Sequence, residues 1–294
     1  MTSIYRYVDL HTHSHYSDGT YSPEGLVILA KKTGLRAIAL TDHDTTDGLA
    51  LFHSAGKEHG IETISGIELA CRYEYYHRPE LHIVGLGFSS DSTILLEYMA
   101  QIQQDRSIRN KAMAARLTAL GLPLTLEELE KSAGGEIITR AHFANILLQK
   151  GYVHTRSEAF EHYLSDGKPG FLPRTLPSPK DCIELIHHAG GAAILAHPTL
   201  YNLSADQIDD TCGKLKTLGL DGIECHYPAY TSNQRKFISK IARKHDLLPS
   251  GGSDFHGENK PDIQLGIGKG NLTVPYSLWE NITAKTAQIR RKNL

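Results

Sequence analysis

Short apolar runs rich in β-branched residues alternate along the chain with segments of helical periodicity. Strands are predicted at 6–11, 36–41, 63–70, 81–88, 192–197, 221–226 and 247–251, with a late one near 264–274. Helices are predicted between several of them, at 23–33, 179–189 and 231–245, each opening at or shortly after a proline. Apolar strands that alternate with helices are typical of a parallel sheet or barrel.

One region interrupts this alternation. Between about 91 and 166 no strand is predicted, and helical periodicity is found at 92–120, 125–133, 139–150 and 155–165. A stretch rich in glycine and proline, GKPGFLP, follows at 167–173. The pattern therefore predicts an α/β barrel formed by 1–90 and 167–294, with a helical insertion at 91–166.

Composition indicates an ordinary globular protein. Hydrophobic residues make up 40% of the 294 residues and charged residues 22%, and the formal net charge of -2 gives no overall attraction to long nucleic acids or membranes. We see no signal-peptide pattern and no run of about 18 apolar residues. The four cysteines have no CxxC spacing. We therefore expect a cytoplasmic protein with reduced thiols and no membrane association.

The histidine content indicates a functional site, because 17 of the 294 residues are histidines and histidine is the commonest metal ligand. His11 and His13 end the first predicted strand, where residues two apart face the same way and can bind one ion. Asp18 in the next loop can reach a neighbouring ion. His43 follows the second strand beside Asp42, and a carboxylate that orients an imidazole is common at metal sites.

Five further candidates lie in or after later strands. Glu68 and His82 are polar side chains within apolar runs, where an unpaired carboxylate carries a heavy desolvation cost. Glu68 is explained by bridging two cations, whereas His82 suits a ligand and a hydrogen-bonded core histidine equally well. His197 ends a strand before a proline, and Asp254 and His256 have the same two-residue spacing as the first pair.

Taken together, these side chains exceed the four ligands of a single zinc, so they predict two or three divalent ions. Imidazole and carboxylate ligands without thiolate favour Mn²⁺, Zn²⁺ or Fe²⁺, of which Mn²⁺ is our first expectation. The complete predicted ligand set is His11, His13, Asp18, His43, Glu68, His82, His197, Asp254 and His256.

The motifs HTHSHYSDGT, ALTDHDTT, GIEL, LHIVGL, AHP and GGSDFH, in this order, resemble the motif set of the PHP (polymerase and histidinol phosphatase) family of metal-dependent phosphoesterases. The resemblance extends from about 6 to 275 and implies a distorted seven-stranded (β/α) barrel. It implies three ions, held by His11, His13, Glu68 and Asp254, by Glu68, His82 and His197, and by Asp18, His43 and His256.

Several divalent ions held close together suit phosphoryl transfer, because they activate water and hold the attacking and leaving oxygens. We therefore expect a metal-bound hydroxide as the nucleophile, with Asp18 and His43 as candidates for contacting the phosphoryl group or assisting the leaving group. The insertion and the GKPGF loop are similar to one subgroup of the family. That subgroup removes the 3'-phosphate of nucleoside 3',5'-bisphosphates and trims short 5'-phosphorylated RNA.

Substrate choice is expected to depend on basic residues of the insertion. Arg106 and Arg109 interrupt an otherwise apolar stripe of the first insertion helix, so we expect them to face inward. They are candidates for binding a second phosphate, the alternative being arginines that pair with acids at an interface. Arg140 opens a helix, where the backbone also favours anions, and Lys168 lies in the glycine-rich loop.

The leading hypothesis is thus a phosphoesterase acting on a small nucleotide or short RNA without an obligate protein partner. A histidinol-phosphate phosphatase or another small phosphomonoesterase is the alternative within enzymes. A polymerase-associated or non-catalytic module is the alternative outside them. Turnover of adenosine 3',5'-bisphosphate against histidinol phosphate distinguishes the enzymes, and salt-sensitive binding of long RNA without turnover would indicate a general nucleic-acid-binding protein, which the negative net charge disfavours.

Overall fold

A computed structural model of the chain describes residues 7–77, 80–133 and 138–293. The chain divides into two compact units. The first comprises the chain up to Leu96 and again from Leu176 onward, and the second comprises Glu97–Thr175. Among the helices described, none is both long and apolar enough to cross a membrane.

The first unit is built on one seven-stranded sheet with the strands in chain order. Leu10 N donates to Gly251 O (3.2 Å), and Thr12 and Phe255 form a parallel bridge, so the first and last strands also meet. The predicted distorted seven-stranded α/β barrel is thereby confirmed. The strands are β1 (Val8–Asp9), β2 (Ala37–Leu40), β3 (Glu62–Arg72), β4 (Glu80–Leu86), β5 (Ala192–Leu195), β6 (Gly222–His226) and β7 (Leu248–Gly251).

The expected parallel pairing is wrong at β4. This strand pairs antiparallel with both β3 and β5, while the other neighbouring strands pair parallel. The connection between β3 and β4 is too short for the crossover helix that parallel pairing needs. Ala70 pairs with His82, so His82 lies near the beginning of β4 and not at a carboxyl end.

The late strand predicted near 264–274 is also wrong. This segment consists mainly of turns, with an isolated bridge between Gln264 and Gly268. Gly266, Gly268 and Gly270 have φ of 77°, 58° and 86°, a left-handed conformation that does not continue a strand. Arg6, the first residue of the first predicted strand, lies outside the described residues.

Helices surround the sheet of the first unit. In α1 the Ser22 side chain accepts a hydrogen bond from the backbone N–H of Gly25, which caps the start of the helix. The helix ends at Gly34, whose φ of 74° is typical of a C-terminal cap. The helices are α1 (Pro23–Thr33), α2 (Leu49–His59), α7 (Pro179–His188), α8 (Ala205–Thr217), α9 (Ser232–Lys244) and α10 (Tyr276–Lys292), numbered along the whole chain. Short 3₁₀ turns occur at Tyr75–His77, Pro198–Tyr201 and Gly257–Asn259.

Every regular element that the structure describes in the second unit is helical. It contains most of α3 (Thr93–Ala119), then α4 (Leu126–Ala133), α5 (Arg140–Gln149), α6 (Arg156–Ala159) and a π-helical turn at Phe160–Leu164. Its own core forms around Met113, Leu117, Phe143 and Leu147, all fully buried. Each predicted insertion helix has a counterpart here.

Candidate metal centre

The nine predicted ligands all belong to the first unit. His11 and His13 follow β1, His43 follows β2, Glu68 lies on β3 and His82 lies on β4. Ligand atoms converge within 4.8 Å in three groups: His11, His13, Glu68 and Asp254; His13, Asp18, His43 and His256; and His43, Glu68 and His82.

The first group is fully buried. His11 Nε2 and His13 Nε2 lie 3.1 Å apart, and each is 3.2 Å from Glu68 Oε2. Asp254 Oδ1 lies 3.3 Å from His13 Nε2 and 3.6 Å from His11 Nε2. These are the four side chains that the motif resemblance assigned to one ion. Two imidazole nitrogens and two carboxylate oxygens converging on one point form a donor set that fits a divalent transition metal.

Glu68 connects this group to a second one. Its Oε2 also lies 3.2 Å from His43 Nδ1, while its Oε1 lies 2.8 Å from His82 Nδ1 and 2.9 Å from His197 Nε2. The resemblance assigned Glu68, His82 and His197 to one ion. The structure brings all three together and adds His43 within ligand range of Glu68 and His82.

Asp18 is the centre of the third group. Its Oδ1 lies 3.2 Å from His256 Nε2 and 3.7 Å from His13 Nδ1, and its Oδ2 lies 3.8 Å from His43 Nε2. Asp18 and His43 are also among the more exposed of the ligand candidates, with side chains 42% and 26% exposed. Both side chains can therefore be reached from outside the centre.

Charge and burial oppose each other throughout the centre. Burial alone would raise the pKa of Glu68 and Asp254, but the surrounding imidazoles hold both well below their usual range. Burial would lower the pKa of His13, yet hydrogen bonds with Asp254 and Glu68 raise it to about 9. The charge of Glu68 likewise outweighs burial and raises the pKa of His82 to about 10. In His43 burial prevails and lowers the pKa to about 4. Buried anions among imidazoles are a setting in which cations displace protons.

Glu224 is a functional candidate that the sequence reasoning missed. Its Oε1 lies 2.8 Å from His11 Nδ1, and its Oε2 accepts from His197 N at 2.6 Å. The carboxylate therefore orients the imidazole of His11 and fixes the backbone of His197. A signal was present, since Glu224 is a carboxylate inside the apolar β6, the same pattern that identified Glu68.

Two other buried carboxylates fix the loops that carry ligands. Asp42 accepts from Ser14 N (2.7 Å), Ser14 Oγ (2.6 Å) and Ser17 Oγ (2.6 Å). It was expected to orient an imidazole directly, but its hydrogen bonds hold the loop after His13. Asp9 accepts from Ser253 N at 2.8 Å and Gly266 N at 2.8 Å, which fixes the segment before Asp254.

An arginine cluster lies in the second unit. Arg106 and Arg109 on α3 are 8% and 9% exposed, so they face inward as expected. Burial, together with the charges of Arg106, Arg174 and Arg140, lowers the pKa of Arg109 to about 9. Arg109 Nη1 donates to Met113 Sδ (3.1 Å), and its Nε has no hydrogen-bond partner among the described residues.

Membership of this cluster differs in part from the predicted set. Arg174 was missed because it lies in an irregular segment far along the chain from Arg109, where periodicity carries no signal. Lys168 is exposed and is not among the charges that act on Arg109. Arg140 begins α5 after the N-cap Thr139, as predicted, and its guanidinium lies 5.5 Å from the centre of the Phe171 ring.

Known proteins match this chain over nearly its whole length. The model of the PHP domain family matches residues 9–163. The chain is 35% identical over 280 residues to the 5'-3' exoribonuclease Rnm of Escherichia coli, covering 92% of this chain and 93% of that protein. It is 30% identical over 279 residues to the 3',5'-nucleoside bisphosphate phosphatase of Chromobacterium violaceum, covering 95% and 97%.

A solved structure is similar over nearly the whole chain. A candidate metal-dependent phosphoesterase from Bifidobacterium adolescentis superposes with a TM-score of 0.79 at 30% identity, covering 94% of this chain and 95% of that one. The likeness therefore includes the fold as well as the sequence.

Proposed function

The chain belongs to the PHP domain family, and from that premise we propose that it removes the 3'-phosphate of nucleoside 3',5'-bisphosphates and trims short 5'-phosphorylated RNA from its 5' end. It is a hydrolase of phosphoester bonds and a metal-dependent phosphoesterase. Relatives named for the two activities match nearly the full chain, and both substrates carry a 5'-phosphate beside the bond that is cleaved.

The observation that carries the proposal is the position of Glu68 between two groups of ligands. Its Oε2 faces His11 and His13, while its Oε1 faces His82 and His197. A carboxylate placed in this way can bridge two cations. Divalent ions bound there would act as Lewis acids on the phosphoryl oxygens. We propose two or three ions, with Mn²⁺ first and Zn²⁺ or Fe²⁺ as alternatives.

Different residues of the centre would bind the ions and contact the phosphoryl group. The buried group around His11 and His13 would hold an ion rigidly, because the carboxylates of Asp42 and Asp9 fix the loops on either side. Asp18 and His43 combine ligand geometry with exposure, which suits contact with the phosphoryl group.

We propose that the arginine cluster binds the phosphate that is not hydrolysed. Arg109 is buried beside other guanidinium groups, and among the described residues no carboxylate is found among the groups that shift its pKa. A phosphate dianion would offset that charge and accept the directional hydrogen bonds of Arg106, Arg109 and Arg140. Arg174 joins this set on the same electrostatic ground, whereas Lys168 has only its charge and exposure to support it.

The test measures phosphate release from adenosine 3',5'-bisphosphate with Mn²⁺, beside 3'-AMP and histidinol phosphate. A parallel assay compares an oligoribonucleotide bearing a 5'-phosphate with the same oligonucleotide bearing a 5'-hydroxyl. We expect chelator-sensitive turnover of the bisphosphate and of the 5'-phosphorylated RNA. Turnover of histidinol phosphate in preference to the bisphosphate would contradict the proposed substrate.

We propose that the enzyme works in a reducing, cytoplasmic compartment. The four cysteines are free and buried, which is the state that such a compartment maintains.

A further inference from the structure

Asp254 is held in an unusual conformation beside the first ligand group. Its φ is 53°, a left-handed value that few residues other than glycine adopt. Its backbone N donates to His11 O at 2.8 Å, so its own position is tied to that of a ligand candidate. Only Oδ1 is directed at the imidazole nitrogens of His11 and His13.

The other oxygen of Asp254 is bound by two side chains outside the ligand set. Tyr227 OH donates to Oδ2 at 2.7 Å, and Lys260 Nζ donates to the same oxygen at 2.7 Å. Tyr227 is buried just after β6, and Lys260 follows the 3₁₀ turn Gly257–Asn259 with its side chain 40% exposed. Two hydrogen bonds use both lone pairs of Oδ2.

We propose that Tyr227 and Lys260 are positioning residues that restrict Asp254 to ligation through Oδ1 alone. A carboxylate can ligate a metal with one oxygen or with two. With Oδ2 occupied, an ion held by the first group would keep one coordination position more for water or substrate. This inference rests on the proposed metal centre and concerns how its first ion is held.

Charge supports the same assignment. Asp254 and Glu68 are buried acids in one group, and the Lys260 ammonium adds a cation on the side of Asp254 away from the imidazoles. Because Asp254 is buried, this ion pair is less screened than one on the surface. Tyr227 adds no charge but fixes the carboxylate plane from within the protein.

The experiment titrates Mn²⁺ into the full-length protein and its variants and follows free and bound ion by EPR. The variants are Tyr227→Phe, which removes only the hydroxyl, and Lys260→Met, which removes the ammonium at similar length. Lys269→Met changes an exposed lysine elsewhere and serves as the matched control. Circular dichroism shows whether each variant is folded.

We expect Tyr227→Phe and Lys260→Met each to shift the Mn²⁺ affinity of one site by about tenfold or more, since groups that orient ligands have effects of 10- to 100-fold. The EPR line shape of that site should also change, and the remaining sites should keep their affinity. Affinity and line shape equal to those of Lys269→Met would overturn the inference. If the wild-type protein bound Mn²⁺ but hydrolysed neither proposed substrate, the proposed function would be wrong. The comparison of Mn²⁺ binding among the variants would still test the positioning role of Tyr227 and Lys260.

Discussion

Glu224 and His11 form a buried pair in which carboxylate Oε1 lies 2.8 Å from imidazole Nδ1. With the Nδ1 proton held by the carboxylate, Nε2 would present its lone pair to a bound ion, and Nε2 lies 3.2 Å from Glu68 Oε2. The pair therefore orients the imidazole of this ligand candidate and favours the tautomer that metal binding through Nε2 requires. Glu224 also accepts from His197 N, so one carboxylate supports two ligand candidates.

Replacement Glu224→Gln should weaken metal binding without unfolding the protein. The amide is similar in size, but it lacks the negative charge that increases the basicity of His11. We expect a loss of about 10- to 100-fold in Mn²⁺ affinity, measured by equilibrium dialysis and metal analysis. Glu58→Gln, an exposed change of the same chemistry on α2, is the control and should bind Mn²⁺ as the wild type does.

Replacement Glu68→Gln should have a larger effect, because Glu68 belongs to two of the three ligand groups. We expect metal analysis after dialysis to show fewer ions per chain, and phosphatase activity to fall by at least about 100-fold. Excess Mn²⁺ should not restore full activity, since the bridging oxygen is changed. A variant that retained both the wild-type metal content and the wild-type activity would exclude a bridging role.

Glu68 and Glu224 illustrate which residues of the candidate site can be predicted from the sequence and which cannot. Both are carboxylates within apolar strands, so the pattern can identify each as a polar group needing a partner. Only Glu68 falls within a family motif that the sequence displays. The partner of Glu224 is His11, more than two hundred residues earlier, and only the closed sheet brings the two together.

The direction of β4 was not predicted from the alternation of strands and helices, for a related reason. Alternation of strands and helices predicts parallel pairing, but the loop between β3 and β4 is short, and loop length decides the pairing. Because β4 runs in reverse, His82 reaches the centre from near the start of its strand. The spacing of His11 and His13, by contrast, depends only on local strand geometry and was available from the sequence.

Asp221 should make the stability of the first unit depend on acid pH. It is buried and bonded to His187 Nε2 (2.7 Å), Ala193 N (2.9 Å) and Lys285 Nζ (3.1 Å). Burial would raise the pKa of its carboxyl, but the hydrogen bonds from His187 and Ala193 outweigh burial and lower the pKa. The stabilisation is therefore complete above the unfolded pKa of about 3.9 and is lost as the pH falls through the lower folded value.

The variant Asp221→Asn should accordingly lower the free energy of unfolding by about 1–3 kcal/mol at pH 7. The deficit relative to wild type should shrink as the pH is lowered below about 4. Urea unfolding at pH 7 and at acid pH measures both values. Asp262→Asn, at an exposed position, should show no such deficit, and an Asp221→Asn deficit that grew in acid would contradict the assignment.

Arg109 should lower the stability of the folded protein and strengthen the binding of substrate. Its guanidinium is buried near Arg106, Arg174 and Arg140, and its Nε has no hydrogen-bond partner among the described residues. Burial of a poorly compensated charge is unfavourable, so Arg109→Met should stabilise the protein by about 1 kcal/mol. The same change should raise KM for adenosine 3',5'-bisphosphate by about tenfold or more, while an aryl phosphate with a single phosphate is much less affected.

Thermal unfolding with and without inorganic phosphate links the two effects. Phosphate should raise the Tm of the wild type more than that of Arg109→Met, because an anion that binds the folded state stabilises it by mass action. Lys111→Met removes an exposed cation from the same helix and should leave both Tm and KM unchanged. If Arg109→Met were less stable than wild type and lost both substrates equally, Arg109 would be a structural residue of the helical unit. A gain in Tm together with a selective loss of the bisphosphate would instead identify it as a group held under electrostatic strain for the second phosphate.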